Sequence, residues 1–543
     1  MEKLKLKGGD PKGKNAASYT RFVMPFAYTV ERTDVGNEEV VWEEIKEEDP
    51  NDLKWRKQYL TQETAKVLFE NAKWFELKSK VNDKFVSYKK DIGITFKMLD
   101  STIRQIAINA PKLILFECNL PDSKGLAANS PMRTGFLVIE INFQDETTLD
   151  EMLLLNEALR YKEPSYEAHR KEIFGDEKEK GKLCVSPDGL EKLFEGKNGK
   201  IFWDIYEFLL SQPLAFNNVP FNLIEPRNDQ CNGKELEIYA DNRAFVWTCA
   251  VLKGGGEALR QHFPIDQYRE KYRFDLKEWE AHQYGHWIKL LNVDQPGKGP
   301  EATHQSRAFE REWAKEHTYH RWEEWGTYYG FSYHSGALLC DEIPDLPLWR
   351  HFGQMYFDMF LLLFYIRVVL FRFSNRLTEI SVDARSESSS KHETWQREFE
   401  EMRWQFTLFT NLYQFPLISN QQQGLELYEL ARKHLDIQEL FNEIEKEIHS
   451  SHDYLSQQQN QEQTNITTIL TVIAAVFSIV AIGLTLVDKK DQLTVKNIID
   501  GVSGEAIVAW SLSIISFFIV LILSKYLAGI FKWFAELLSK AKK

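Results

Sequence analysis

Two uncharged runs near the C-terminus constrain this chain more than any other feature. Ile466 to Val487 (ITTILTVIAAVFSIVAIGLTLV) and Ala506 to Leu523 (AIVAWSLSIISFFIVLIL) contain no Asp, Glu, Lys or Arg. At about 1.5 Å per residue, each is long enough to cross a hydrocarbon core of roughly 30 Å. The expectation is two transmembrane helices, 466–487 and 506–523, joined by an outer loop (488–505) and followed by a basic tail (524–543). The tail carries Lys525, Lys532, Lys540, Lys542 and Lys543, against three lysines in the loop, and the positive-inside rule puts it in the cytoplasm. An even number of spans returns the N-terminal region to the same side. Met1–Ser18 has no apolar stretch of the signal-peptide kind. These features predict a multi-pass protein of the cell inner membrane with cytoplasmic N- and C-termini.

The first run carries a second pattern. Gln461, Thr464, Thr468, Thr471, Ala475, Ser478 and Thr485 recur at spacings that keep them on one stripe of a helix. Hydroxyls and amides facing lipid are unfavourable, so the stripe must face protein or water. One reading is a pore lined by Gln461, Thr464, Thr468, Thr471, Ser478 and Thr485 from several copies. The other is close helix packing, which favours small residues for their size alone. No Pro or Gly interrupts Asp436 to Ile482, so a stalk (436–465) is expected to run straight into the first span.

The rest of the chain is polar. Of 543 residues about 460 precede the first span, and 27% of all residues are charged. A net charge of −13 argues against a general nucleic-acid surface, which needs basic patches. The five cysteines (Cys118, Cys184, Cys231, Cys249, Cys340) are odd in number and lack paired metal spacing, which fits reduced thiols. Strand signals at 22–30, 113–118, 136–143, 236–240 and 244–252 surround a helical pattern at 149–161, with Asp145 or Thr147 as its N-cap. This makes 1–275 an α/β (α+β) domain. From 276 to 435 aromatic-rich helices are expected. Met359–Phe371 (MFLLLFYIRVVLF) is too short to cross a bilayer and reads as a buried core helix.

Motifs that carry chemistry are sparse. Lys253-Gly254-Gly255-Gly256 lacks the Gly-Lys-Ser/Thr end of a phosphate loop. His282 and His286 share a helix face, with His317 and His320 further along, yet no ligand set completes a metal site in this histidine-rich region (282–351). No catalytic residue is assigned and no enzymatic activity is expected. Arg321 to Gly330 (RWEEWGTYYG) combines an arginine, aromatic rings and glycines. Arg321, Trp322, Trp325 and Tyr329 are therefore candidates for stacking on a base and contacting a phosphate, although an aromatic core segment with tight turns has the same composition.

The order of an α/β domain, a stalk, two spans and a basic tail resembles the CorA family of divalent-cation transporters. The segments FRFSNRL (371–377), ARKHLDIQELFNEIEKEI (431–448) and NQEQTN (460–465) carry this likeness. The resemblance implies a homopentamer whose stalk and first-span helices line the pore. The family's Gly-Met-Asn is missing: Gly483-Leu484-Thr485-Leu486-Val487-Asp488 stands in its place. GFLVIEINF (135–143), LLLNEALRY (153–161) and RWEEWGTYYGFSYHS (321–335) resemble the divergent CorA-like membrane effectors of type III CRISPR antiviral systems. That resemblance implies a membrane effector opened by a nucleotide messenger, in some members a conjugate of S-adenosylmethionine and AMP. The alternatives are a divalent-cation (Mg2+-type) transporter without the usual motif, and a membrane-anchored binding protein without a pore. Expected partners are further copies of the chain, the lipid bilayer and a small nucleotide. No covalent cofactor and no direct nucleic acid are expected.

Overall fold

A computed structural model describes residues 4–9, 16–32, 40–45, 50–81, 84–87, 92–97, 103–108, 111–117, 130–145, 147–160, 209–210, 212–216, 219–224, 243–253, 286–294, 307–342, 347–386, 392–414 and 417–488. The strands are β1 (Tyr19–Ala27), β2 (Thr29–Arg32), β3 (Val40–Glu44), β4 (Lys73–Val81), β5 (Lys84–Ser87), β6 (Ile92–Lys97), β7 (Ile103–Ile108) and β8 (Lys112–Leu115), then β9 (Thr134–Asn142), β10 (Leu214–Phe216), β11 (Val219–Ile224), β12 (Phe245–Leu252), β13 (Thr318–Tyr319), β14 (Thr327–Phe331) and β15 (Ser335–Asp341). They form one mixed sheet in the order β13-β14-β15-β12-β1-β9-β8-β4-β3-β10-β11-β2, with β5, β6 and β7 off this path. β12 runs parallel to β15 and β10 parallel to β3; the other ladders are antiparallel.

The centre of the sheet is buried on both faces, and the two-residue period sorts its side chains between two layers. Phe22, Met24 and Phe26 of β1, Leu137, Ile139 and Ile141 of β9, and Val246 and Ala250 of β12 share one core with Met152, Leu155 and Leu159 of helix Leu149–Arg160. On that face Asn156 Nδ2 donates to Thr248 Oγ1 at 3.0 Å, and Thr248 meets Thr20 at 3.1 Å. The alternate residues meet the core helix, Phe357–Ser386. Phe245 stacks on Phe360 at 4.3 Å, Phe136 packs on Phe364 at 5.5 Å, and Arg21 lies 4.5 Å over the Phe357 ring. Arg21 is paired with Glu140 across β1 and β9, Nε to Oε2 at 2.6 Å. The expectation of a buried helix at 359–371 agrees with this placement.

Helix Leu149–Arg160 starts with a capping box. Glu151 N donates to Thr148 Oγ1 at 3.3 Å, and Thr148 N donates to Glu151 Oε2 at 2.7 Å. The cap is thus Thr148 rather than Asp145 or Thr147, and Asp145 instead accepts from the Gly8 amide at 2.8 Å. The expected helical character of the second half is also corrected. β13, β14 and β15 extend the sheet through the aromatic-rich region: β15 pairs with β12, β14 with β15, and the small Gly336, Ala337 and Gly330 let the buried strands lie close to their neighbours.

Among the described residues no helix is long and apolar enough to cross a membrane. The expected two transmembrane helices, and the multi-pass inner-membrane location drawn from them, are corrected on this finding. The helix that holds the first run, Ile437–Asp488, is continuous as expected. The second expected span (506–523), the loop beyond Asp488 and the basic tail lie outside the described residues, as do the strand expected at 236–240 and the Lys253–Gly256 turn beyond Lys253. The chain divides into two compact units, Met1–Ile448 and His449–Lys543. Both layers of the core described above belong to the first.

Candidate functional site

Within the first unit, a cavity of about 460 Å³ opens where the β1–β12 ladder stops, a volume typical of small-molecule sites. β1 pairs with β12 only from Tyr19 to Val23, while its pairing with β9 continues to Ala27. Pro25 has no N–H to extend a ladder toward β12, and β12 begins at Phe245. The notch is lined by Pro25, by Arg243, Ala244 and Phe245 at the start of β12, and by Tyr333 and His334 in the β14–β15 turn. The core helix closes it with Phe364, Arg367, Val368, Phe371 and Asn375, whose three- and four-residue spacings put them on one helix face.

The turn is rigidly made. Ser332 N donates to Ser335 O at 2.8 Å, and Ser332 Oγ accepts from the amides of His334 (3.3 Å) and Ser335 (3.1 Å) while donating to Leu291 O at 2.7 Å. These bonds hold Tyr333 at the tip, where it is 39% exposed. Arg367, itself buried, lays its guanidinium on that ring: Cζ is 3.6 Å from the centroid, and Nη1 donates to Tyr333 O at 2.9 Å. The same guanidinium lies 5.6 Å from the Phe371 ring, and the His334 ring meets Tyr333 edge-on at 5.0 Å. Among the described lining residues there are two arginines and no carboxylate, in a chain of net charge −13. Low-dielectric walls lined by one sign of charge attract the opposite sign, so the cavity is suited to an anion. Its rings offer flat apolar faces beside that charge.

The residues proposed from the sequence lie elsewhere. Arg321 and Trp322 are exposed, with the Arg321 guanidinium 5.8 Å from the Trp322 ring. Arg321 Nη1 donates to Glu426 Oε2 at 2.9 Å, and Tyr319 Oη donates to the same oxygen. The Tyr319 bond, helped by Arg321, holds the Glu426 carboxyl below the usual range. Burial, reinforced by Glu426, pushes the Tyr319 phenol up to about 12. Trp325 ends a 3-10 turn capped by Gly326 in the left-handed region at φ 66°. Tyr329 is fully buried against Phe352 and Tyr356 and shares no surface with Arg321 or Trp322. In the long helix the hydroxyls of Thr464, Thr468, Thr471 and Ser478 each donate to the carbonyl four residues before, at 2.6–2.8 Å. Gln461 is exposed; Thr485 lies in the helix, and its side chain is outside the described residues.

Among the described residues no group of three or more His, Cys, Asp or Glu is placed to hold a metal ion. His286 pairs with Asp150 at 3.2 Å, His320 with Glu323 at 2.8 Å, and His317 stacks on His434; His282 lies outside the described residues. The two described cysteines, Cys249 and Cys340, are buried free thiols whose ionisation burial pushes upward, so they are unreactive. Sequence reasoning passed over the cavity because its walls come from segments more than 300 residues apart. One local signal was available, the single charge of Arg367 inside an apolar run, since a buried charge requires a reason. No family model matches this chain, and neither the curated proteins nor the solved structures contain a match.

Proposed function

We propose that this chain is a sensor for a small nucleotide-type messenger, bound in the cavity between the β14–β15 turn and the core helix. The observation that carries the reading is the Arg367 guanidinium held against the Tyr333 ring, 3.6 Å from its centroid, at the wall of a cationic cavity. A base stacks on aromatic faces at a gain of about 1–3 kcal/mol, and a guanidinium binds a phosphate through charge-assisted hydrogen bonds. The likeness of residues 321–335 to the CorA-like effectors of type III CRISPR systems supports the same ligand class, including the S-adenosylmethionine–AMP conjugate. Self-association through the long helix belongs to this reading, because large apolar side chains stand exposed along it.

Calorimetry on the full chain tests the proposal with AMP, ATP, cyclic oligoadenylates and the S-adenosylmethionine–AMP conjugate. Saturable binding of at least one, weakened by Arg367→Gln, is the expected result. Absence of binding to all of them, or equal affinity in wild type and Arg367→Gln, refutes it.

A further inference from the structure

Three rings stack where helix Arg307–His317 meets helix Gln422–His434. Trp313 lies on His317 with centroids 3.9 Å apart and planes at 16°; His317 lies on His434 at 3.8 Å and 28°. Both imidazoles are anchored to main-chain carbonyls, His317 Nδ1 to Trp313 O at 2.8 Å and His434 Nε2 to Glu316 O at 2.9 Å. A nitrogen facing a carbonyl carries the proton, so both tautomers are fixed and only the second nitrogen of each ring is left to take up another. Two cations stacked at this distance in a partly buried site repel each other, and each is poorly hydrated.

The structure assigns a switching role to this contact. We propose that the Trp313–His317–His434 stack is a proton-operated latch, docking the end of helix Gln422–His434 at neutral pH and releasing it on acidification. The released end leads directly into the long helix. Two residues beyond His434, Asp436 turns the chain through the left-handed region at φ 52° and starts that helix, with Leu440 N donating to Asp436 O at 3.0 Å. A non-glycine residue keeps that conformation only while its surroundings hold it.

The charged neighbours do not override the effect. Burial and the adjacent His434 bring His317 down to about 4, with Lys433 acting in the same direction and Glu316 opposing it. Burial also lowers His434, helped by Lys433 and opposed by Glu316 and Asp436. On the following turn His320 is raised by its bond to Glu323. Helix Gln422–His434 also packs on β14 and the core helix, and its Glu426 is held by Tyr319 and Arg321. β14 brings the phenols of Tyr328 and Tyr329, neutral at acid pH, and Asp358 of the core helix is bound to Arg56 at 2.6 Å. For histidines lowered in the docked state the stabilisation is complete above about 6.5 and declines as pH falls from there toward 4.

Histidine C2-hydrogen exchange on the full wild-type chain, read by mass spectrometry, gives the midpoint of each ring. Amide exchange of peptides within 422–440, corrected for intrinsic rate, gives the docking. A His317 midpoint well below 6.5 is expected, with about a tenfold loss of protection in 422–440 between pH 7.5 and 5.5. His317→Phe keeps a stacked ring without a proton site and should reduce the pH dependence to the part carried by His434, while His320→Gln should retain it in full. A His317 midpoint at or above 6.5, an unchanged 422–440 segment, an equal loss in His317→Phe, or a uniform loss over the whole chain overturns the latch.

Discussion

Arg367 both stacks on Tyr333, with Cζ 3.6 Å from the ring centroid, and donates to that residue's carbonyl oxygen at 2.9 Å. One side chain of the core helix therefore fixes the height and direction of the β14–β15 turn at the cavity wall. Replacing Arg367 by Gln keeps a hydrogen-bond donor and removes the charge. A charge-assisted bond is worth about 1.5–3 kcal/mol, so nucleotide affinity should fall roughly 10- to 150-fold. Tyr333→Ala removes a stacking face and should cost about 1–3 kcal/mol of binding. Tyr333 is partly exposed, so its loss should leave the melting temperature nearly unchanged. Calorimetry and thermal unfolding on the same preparations separate the two effects; a large drop in stability with unaltered affinity contradicts the assignment.

A second arginine anchors the N-terminal end of the core helix. Arg56 holds Asp358 through two bonds, Nε to Oδ2 at 2.7 Å and Nη2 to Oδ1 at 2.6 Å, with its guanidinium 4.8 Å from the Phe69 ring. Both residues are buried. Removing one partner strands the other charge away from water, so Arg56→Met should destabilise the first unit by about 3–5 kcal/mol. The double change Arg56→Met with Asp358→Leu removes both charges and should recover most of that loss. Urea unfolding of the four proteins in a cycle measures it, and additive losses in the double variant exclude the buried-pair account.

The parts of this fold that were legible in the sequence are those in which a local pattern decides burial. Phe136–Phe143 reads as a strand because it is a short β-prone apolar run that alternates from Ile139 on, and Met359–Phe371 reads as a core helix because it is apolar and short. The same strand shows where a window of sequence stops helping. Glu140 looks like a solvent-facing residue, but its partner Arg21 arrives from a strand 119 positions away and both are largely covered. The cavity was hidden for that reason, since Pro25, Phe245, Tyr333 and Arg367 meet only through the order β15-β12-β1 and the helix laid across it. The C-terminal run misled in the opposite way. It was read from hydropathy alone, and among the described residues no helix is long and apolar enough to cross a membrane. The four proposed contact residues had a composition suited to a ligand, yet Tyr329 uses its ring in the core.

Trp247 gives a test of packing at the sheet–helix junction. It stacks on Phe352 at 4.1 Å and 12°, and on Phe360 at 4.8 Å. A Cβ on Gly336 of β15 would stand 2.6 Å from Trp247 Cε3 and 2.7 Å from Cζ3. Gly336→Ala must therefore push the indole out of this stack, at a cost of about 1–3 kcal/mol. Trp247→Phe alone leaves a void and is also destabilising. Combined with Gly336→Ala it should lose less than the sum, because the smaller ring yields the space that the methyl needs. Strict additivity in thermal unfolding would show that the two positions do not share this volume.

The long helix carries the prediction about assembly. Ile466, Leu470, Ile473 and Phe477 follow spacings of four, three and four, and are exposed to 56%, 60%, 37% and 70%. A seam of this period over a continuous helix matches the pairing of like helices, each large side chain entering a gap on its neighbour. The hydroxyls of Thr464, Thr468, Thr471 and Ser478 are bonded to their own helix, so they can adjoin the seam without leaving a donor unmet. Burying one such Leu or Phe contributes about 1.5–3 kcal/mol, and two substitutions on each helix multiply the effect. Native mass spectrometry of the full chain should therefore find a homo-oligomer, and Leu470→Glu with Phe477→Glu should shift it to monomer by weakening association at least about 100-fold. The double variant should still bind nucleotide like wild type, since neither substitution touches the cavity. A monomeric wild-type chain, or an oligomer indifferent to both glutamates, excludes this face as the contact between copies.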